Sequence, residues 1–314
     1  MMKFYKFYQK FGLYLILAIT FLFFSVTTKH FFSMANFINI IRQVSIFGTA
    51  VMGCAMVMIG GNTDMSNGGQ VSFLGIIAAL MLINGVPIFV TVIAILAMGC
   101  VCGSINGLLT TKLHMPGFIA TLGMMLVYNG LAYVVSGGYS LFGLPESFAW
   151  LGQGYVGPIP VPVIIFAIVC VLGTFIMTKT YFGRSIYAVG GSQEASNLAG
   201  IKVNKVIIIS YIISGFTAAT AALMQLSRSN SGAPGAGANY PFDCMSAAVL
   251  GGISMAGGKG KAYGAIVGVL IIGILNNGLQ LMGFNASLVD VVKGIVLIFA
   301  VGIDSVYNYA SHRS

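Results

Sequence analysis

The chain has 314 residues, of which 58% are apolar and only 7% are charged, and its formal net charge is +9. Soluble globular proteins carry roughly 25% charged residues, so these few side chains could not cover a water-facing surface. Disorder is excluded as well, because disordered chains have low hydrophobicity. The composition therefore predicts an all-α membrane protein, a polytopic helix bundle that forms a single domain over residues 1–314.

Apolar runs in chain order predict about ten transmembrane helices, several of them broken by Gly-rich segments. We expect these spans at 11–28, 43–59, 71–84, 88–111, 117–136, 161–178, 206–226, 242–257, 262–282 and 288–308. With both ends on one side, eleven basic residues fall on that side and three, Lys29, Arg42 and Arg228, on the other. The positive-inside rule then predicts that both termini are cytoplasmic in a multi-pass protein of the cell (inner) membrane.

Two Gly-rich segments, 60–69 and 251–258, interrupt apolar stretches with polar groups. In the first segment, Asp64 lies beside Asn62 and Ser66. An ionisable group at membrane depth is expensive and is therefore a candidate for function. These three residues indicate equally a stabilised chain break and a part of the substrate pathway.

Amide side chains are better represented inside the predicted spans than ionisable ones, and they include Asn106 and Gln225. Amides both donate and accept hydrogen bonds, which suits a neutral hydroxyl-rich cargo such as a sugar. They also hold helices together, which is their more common use in membranes. The further pathway candidates are Asn129, Asn276, Asn277 and Gln280, of which the second and fourth share a helix face. Asp290 and Lys293 are predicted to pair on the last span.

The longest predicted cytoplasmic loop covers residues 179–205. Gly190-Gly191 is expected to break the chain there, and Ser192 to cap a short helix over 193–199 with an apolar tip formed by Leu198 and Ile201. Such a helix suits docking to a cytoplasmic partner. A plain solvated loop helix explains the same residues equally well.

No set of residues for catalysis or cofactor binding is visible. The five cysteines lack metal-ligand spacing, and the glycines before Lys259 do not have the spacing of a phosphate-binding loop. We therefore expect no metal, no cofactor and no enzymatic activity, so that any ATP hydrolysis must come from another subunit. The alternative is an ion-coupled secondary transporter or channel acting without an ATPase, although the buried acid–base relay typical of such proteins is missing.

Seven segments in order give a family resemblance, although each alone is weak. They are 60–69, Asn106-Gly107 with 115–123, 182–184 with 187–191, Glu194-Ala195 with Gly200-Ile201, Asp243 with 247–252, 276–279 and 292–294. Together they resemble permease subunits of carbohydrate-importing ABC transporters of the ribose/xylose/arabinose/galactofuranose type, over about residues 40–305. The chain departs from that pattern at Asn62-Thr63, where the family has one residue before the Asp.

The resemblance implies a homo- or heterodimeric permease in membrane lipid, bound to an ABC ATPase subunit and loaded by an extracytoplasmic sugar-binding protein, with no nucleic acid. It favours the coupling of this loop to the ATPase, through residues Arg184, Gly190, Gly191, Ser192, Glu194, Ala195, Leu198, Gly200 and Ile201. Pentose, hexose, nucleoside-like and furanose cargoes share this architecture, so the sequence does not choose among them.

Overall fold

The computed structural model describes the backbone of residues 2–311 and the side chains of residues 14–299 and 302. Its helices are α1 Met2–Thr27, α2 Met34–Ile59, α3 Asn67–Ile83, α4 Ile88–Lys112, α5 Gly117–Ser136, α6 Trp150–Gln153, α7 Val161–Lys179, α8 Tyr181–Gly191, α9 Gln193–Leu198, α10 Val203–Ser229, α11 Tyr240–Leu250, α12 Ala262–Leu281 and α13 Ala286–Ser311. A 3-10 turn, Glu146–Ala149, precedes α6. A small antiparallel hairpin pairs β1, Tyr155–Val156, with β2, Ile159–Pro160.

Among the residues whose side chains the structure describes, six helices are long and apolar enough to cross a membrane: α2, α4, α5, α7, α10 and α12. They confirm the prediction of an all-α protein that crosses the membrane several times. Most of the apolar stretch of α2 is buried within the protein, whereas most of α4 and of α5 is not buried. The helix α2 is therefore central, whereas α4 and α5 lie at the periphery of the chain, where their apolar side chains suit contact with lipid.

Glycines set the close packing of α4 against α10. Gly99, Gly103 and Gly107 are four residues apart, so they line one face of α4. A Cβ at any of them would collide with α10, at Gly215, Tyr211 or Ile208. Small residues at this spacing let two membrane helices approach until their backbones touch, which maximises van der Waals contact.

The structure corrects two predicted elements. The span expected at 242–257 is wrong in its second half, because α11 stops at Leu250 and its 11 residues reach only about 16 Å. Gly252, Gly257 and Gly258 have φ angles of +79°, +85° and +69°, which a helix cannot accommodate. The expected break at Gly190-Gly191 is also wrong, because both glycines lie in the last turn of α8. The chain leaves the helix at Ser192, whose φ of −163° and ψ of 116° are extended.

The two ends of the bundle carry different loops. At one end, which we call the α8–α9 end, the amide of Gly258 donates to the carbonyl oxygen of Ile59 at 2.8 Å. At the other, which we call the hairpin end, the amide of Gly152 donates to Ser227 Oγ at 2.7 Å. The helices α2 and α10 therefore run between the two ends.

Candidate functional site

A buried polar network surrounds Asp64 in the non-helical segment between α2 and α3. Asp64 Oδ1 accepts hydrogen bonds from the backbone amide of Ser66 at 2.9 Å and from its hydroxyl at 2.6 Å. Asp64 Oδ2 accepts from the hydroxyl of Ser214, on α10, at 2.6 Å. Ser66 Oγ in turn accepts from the amide groups of Gln70 at 2.8 Å and Asn106 at 2.6 Å. All five side chains are 0% or 1% exposed.

This network holds the chain break in place. Thr121 of α5 accepts a hydrogen bond from the amide of Met65 at 3.0 Å, and Tyr211 of α10 donates to the carbonyl oxygen of Thr63 at 3.0 Å. The unwound segment is thus tied to α4, α5 and α10 by groups that satisfy its freed backbone, as chain breaks at membrane depth require. The hydrogen-bonding capacity of the Asp64 carboxylate and of the Ser66 hydroxyl is largely used within the protein.

Three of the predicted pathway amides have separate surroundings. Asn277 of α12 is paired with Asn36 of α2, each amide group donating to the other's carbonyl at 2.9 and 3.0 Å. Asn129 lies half-buried on α5 and belongs neither to the Asp64 network nor to this pair. Asn62 is half-buried and lines a cavity of about 510 Å³ at the α8–α9 end.

Asn276 and Gln280 line a different cavity, of about 260 Å³, between α2, α10, α11, α12 and α13. Its wall also includes the 235–239 segment of the hairpin end. Its polar lining, the ion-paired residues apart, consists of Gln43, Gln225, Arg228, Asn239, Asn276 and Gln280. The structure therefore places Asp64 and Ser66 in a buried network and Asn276 and Gln280 at this polar cavity, and it brings the other three predicted residues to neither.

A buried ion pair lies at the edge of this cavity. Lys293 Nζ is 3.1 Å from both carboxylate oxygens of Asp243, on α11, and 3.4 Å from Asp290 Oδ1. The predicted contact between Asp290 and Lys293 is thus present, but Asp243 is the closer partner of Lys293 in space. A lysine this buried needs such a partner, because an uncompensated charge in a low-dielectric interior costs several kcal/mol.

The segment after α7 presents a short helix to solvent. Ser192 Oγ accepts a hydrogen bond from the amide of Ala195 at 3.2 Å, which confirms the predicted cap, and Gly200 follows the helix with a φ of +80°. Leu198 is 91% exposed at the end of α9. Ile201 does not share this apolar tip, because it is half-buried and packs against the core. Arg184, Glu194 and Ala195 are also exposed at this end of the bundle.

The backbones of Ile59, Gly190 and Gly258 meet near the base of α9, and we call this contact the glycine junction. A Cβ at Gly190 would overlap both the carbonyl oxygen of Ile59 and the amide nitrogen of Gly258. Nearby, the phenol of Tyr187 donates to the carbonyl oxygen of Gly260 at 2.9 Å. Burial raises the pKa of this phenol above its ordinary value, so it remains a donor at neutral pH. The helix α8 is therefore attached to both broken segments, 60–66 and 251–261.

Comparison with known proteins decides the family. A profile described as "Branched-chain amino acid transport system / permease component" matches residues 36–301. The chain belongs to this permease family. It is 40% identical over 298 residues to the ribose import permease protein RbsC of Bacillus subtilis (strain 168), covering 94% of this chain and 92% of that protein. No solved structure matches the chain.

Other relatives extend the same group. The permease is 37% identical over 285 residues to RbsC of Escherichia coli (strain K12), covering 90% of this chain and 89% of that protein. It is 30% identical over 360 residues to the xylose transport system permease protein XylH of Haemophilus influenzae, covering 95% and 96% of the two chains. The chain is thus a transport subunit of an ATP-binding-cassette importer in the inner membrane, and a separate ATPase hydrolyses ATP. The alternative of a transporter acting without an ATPase receives no support from these relatives.

Several residues around the cavity were not found from the sequence. Gln43 and Arg228 were not among the candidates, although Gln225 and Arg228 are three apart on α10 and share a face.

Away from the cavity, Asn36, the partner of Asn277, was also missed, because the predicted span began at residue 43. In the structure Ser33 caps α2 by accepting a hydrogen bond from the amide of Asn36 at 3.3 Å. Reading Ser33 as a helix cap would have extended the span to include it.

Proposed function

We propose that this permease passes a neutral sugar, received from an extracytoplasmic binding protein, into the cytoplasm. The relatives that support this cargo are named as ribose, galactose or xylose permeases and are 30–40% identical to the chain. The family description itself names branched-chain amino acids. We favour a sugar because amide groups dominate the polar lining of the 260 Å³ cavity.

We further propose ten membrane segments with both termini in the cytoplasm: α1–α5, α7 and α10–α13. In this arrangement α11 crosses only part of the membrane, and the non-helical segment 251–261 completes the crossing. The α8–α9 end is then cytoplasmic and the hairpin end extracytoplasmic. The excess of eleven basic residues over three supports this orientation.

The observation that carries the coupling mechanism is the contrast between the tip and the base of α9. Leu198 is 91% exposed at the tip of a capped helix, so its side chain is free to contact a partner. A few residues earlier, Gly190 touches the backbones of Ile59 and Gly258. We propose that the ATPase holds α9 at Leu198 and moves the glycine junction when it binds and hydrolyses ATP. A second permease copy, identical or paralogous, would complete the transporter.

The test uses the full complex of permease, ATPase and binding protein in proteoliposomes. Glu194→Lys and Leu198→Lys add charge to α9, and we expect each to abolish sugar uptake and to reduce recovery of the ATPase with the permease. Val156→Lys, at an exposed position of the hairpin end, makes the same one-unit charge change as Leu198→Lys far from the ATPase and leaves that recovery unchanged. Normal uptake with normal ATPase recovery in both α9 variants would reject the assignment.

A further inference from the structure

The cavity at the hairpin end contains side chains whose hydrogen-bonding groups are free. Within the described residues, the amide groups of Gln43, Gln225 and Gln280 make no hydrogen bond to the protein. Asn276 Oδ1 is buried without a partner. Its neighbour Asn277, by contrast, is fully engaged with Asn36. The Asn276 carbonyl oxygen and the three glutamine amides around one cavity are thus left to bind water or a ligand with many hydroxyl groups.

The charged groups of the cavity largely compensate one another. Lys293 is bound to Asp243 at 3.1 Å, and Asp290 accepts from Asn239 at 3.4 Å. Arg228 donates to Asn39 Oδ1 at 3.0 Å. Two basic and two acidic side chains therefore give the lining no net charge. A zwitterionic amino acid would need a free carboxylate for its ammonium group, whereas Asp243 is paired with Lys293 and Asp290 contacts both Lys293 and Asn239.

An apolar surface accompanies these polar groups. The rings of Phe47 and Tyr240 both line the cavity and meet edge-to-face with centroids 5.8 Å apart. A sugar ring has C–H groups on its faces and hydroxyls around its edge, so it fits a site that combines aromatic surface with amides. Its volume of about 260 Å³ is small, which suits a single sugar unit.

We infer that this cavity is a binding site for a neutral polyhydroxylated cargo within the permease itself, with Asn276, Gln280, Gln225 and Gln43 as its hydroxyl-binding groups. This inference rests on the proposed sugar-import function. In the proposed orientation, the 235–239 segment places this wall of the cavity at the extracytoplasmic entrance. The cavity is thus the first place inside the permease that a delivered sugar would meet.

The experiment measures sugar transported per ATP hydrolysed, using the complete complex in proteoliposomes with D-ribose, D-xylose and D-galactose as probes and L-leucine as a comparison. Asn276→Ala and Gln280→Ala each remove one hydroxyl-binding group. We expect the ratio to fall at least about tenfold for the transported sugar, while ATPase recovery and the ATPase rate without sugar stay within about twofold. The matched control is Asn84→Ala, which makes the same change at an exposed amide after α3.

A second measurement does not depend on these deletions. Gln280→Cys places a thiol at the cavity, and a membrane-impermeant charged thiol reagent reports its accessibility. The native cysteines provide a low background, because four are buried and Cys100 is half-buried. We expect the transported sugar at saturating concentration to slow the reaction severalfold, and to leave the reaction of Asn84→Cys unchanged.

The outcomes separate the two proposals. If wild type carries sugar but both alanine variants keep the full transport ratio and sugar leaves the Gln280→Cys reaction unchanged, the cavity is not a cargo site. Protection by L-leucine instead of sugar would assign the cavity to a zwitterion and overturn the inference. If the wild-type complex carries none of the three sugars, the proposed function itself fails, and the sugar site with it.

Discussion

A single methyl group at residue 190 tests the role of the glycine junction. A Cβ there would overlap the carbonyl oxygen of Ile59 and the amide nitrogen of Gly258. These two atoms are hydrogen-bonded to each other at 2.8 Å. The variant Gly190→Ala must therefore push apart the end of α2 and the 251–261 segment, or shift α8 away from both.

The size of the effect follows from these contacts. Leaving a buried backbone donor or acceptor unsatisfied costs about 1–3 kcal/mol, and overpacking typically costs a similar amount. The better helix propensity of alanine returns up to about 1 kcal/mol. We expect Gly190→Ala to lower the free energy of unfolding by about 2–4 kcal/mol, as measured by denaturant titration in mixed micelles.

The adjacent residue provides the control. Gly191 lies in the same last turn of α8, but nothing is within 4 Å of the position that its Cβ would occupy. Gly191→Ala should therefore be neutral or stabilise the protein by up to about 1 kcal/mol. In proteoliposomes, Gly190→Ala should lose most sugar uptake per ATP while Gly191→Ala keeps it. Equal behaviour of the two variants would refute the view that backbone contact at this junction matters.

Substitutions at three buried polar contacts give further tests, and the same unfolding titration measures each of them. Asp64→Ala removes the acceptor of three buried hydrogen bonds, so we expect a loss of at least about 2 kcal/mol, and an unchanged unfolding midpoint would contradict the structure. Lys293→Met leaves Asp243 buried without its cation and should cost about 3–5 kcal/mol, whereas adding Asp243→Leu should recover much of that loss. Asn36→Ala and Asn277→Ala should each cost about 1–3 kcal/mol, and the double variant should cost little more than either, because both remove the same paired hydrogen bonds.

Local features of the sequence predicted local structure well. The cap at Ser192 and the stop at Gly200 depend on residues within one helical turn, and both are found in the structure. The six long apolar helices likewise follow from composition alone. The family resemblance, carried by short motifs in order, is confirmed by the comparisons.

Contacts between distant residues could not be predicted in the same way. Lys293 has an acidic residue three positions away on its own helix, but its closer partner, Asp243, lies 50 residues earlier. The Asn36–Asn277 pair joins residues 241 positions apart. Helices that are apolar on all sides have no polar stripe to indicate which neighbour they contact, so the sequence could not show that α2 is central. Gly190-Gly191 was misread for a related reason: glycine permits a break but does not enforce one.

The positions of these contacts suggest how the ATPase could affect the cargo site. Two elements touch Gly190, namely α2 through Ile59 and the segment after α11 through Gly258. The cavity wall includes Phe47 of α2 and Asp243 of α11, the helix that leads into the segment with Gly258. Phe47 and Ile59 are 12 residues apart on one continuous helix, a distance of about 18 Å. Because α2 is one continuous, largely buried helix and close-packed interiors transmit strain, we expect displacement of the glycine junction to shift the cavity wall at Phe47. Gly190 contacts the end of α2 that lies away from the cavity. Loss of transport in Gly190→Ala is therefore the expected result.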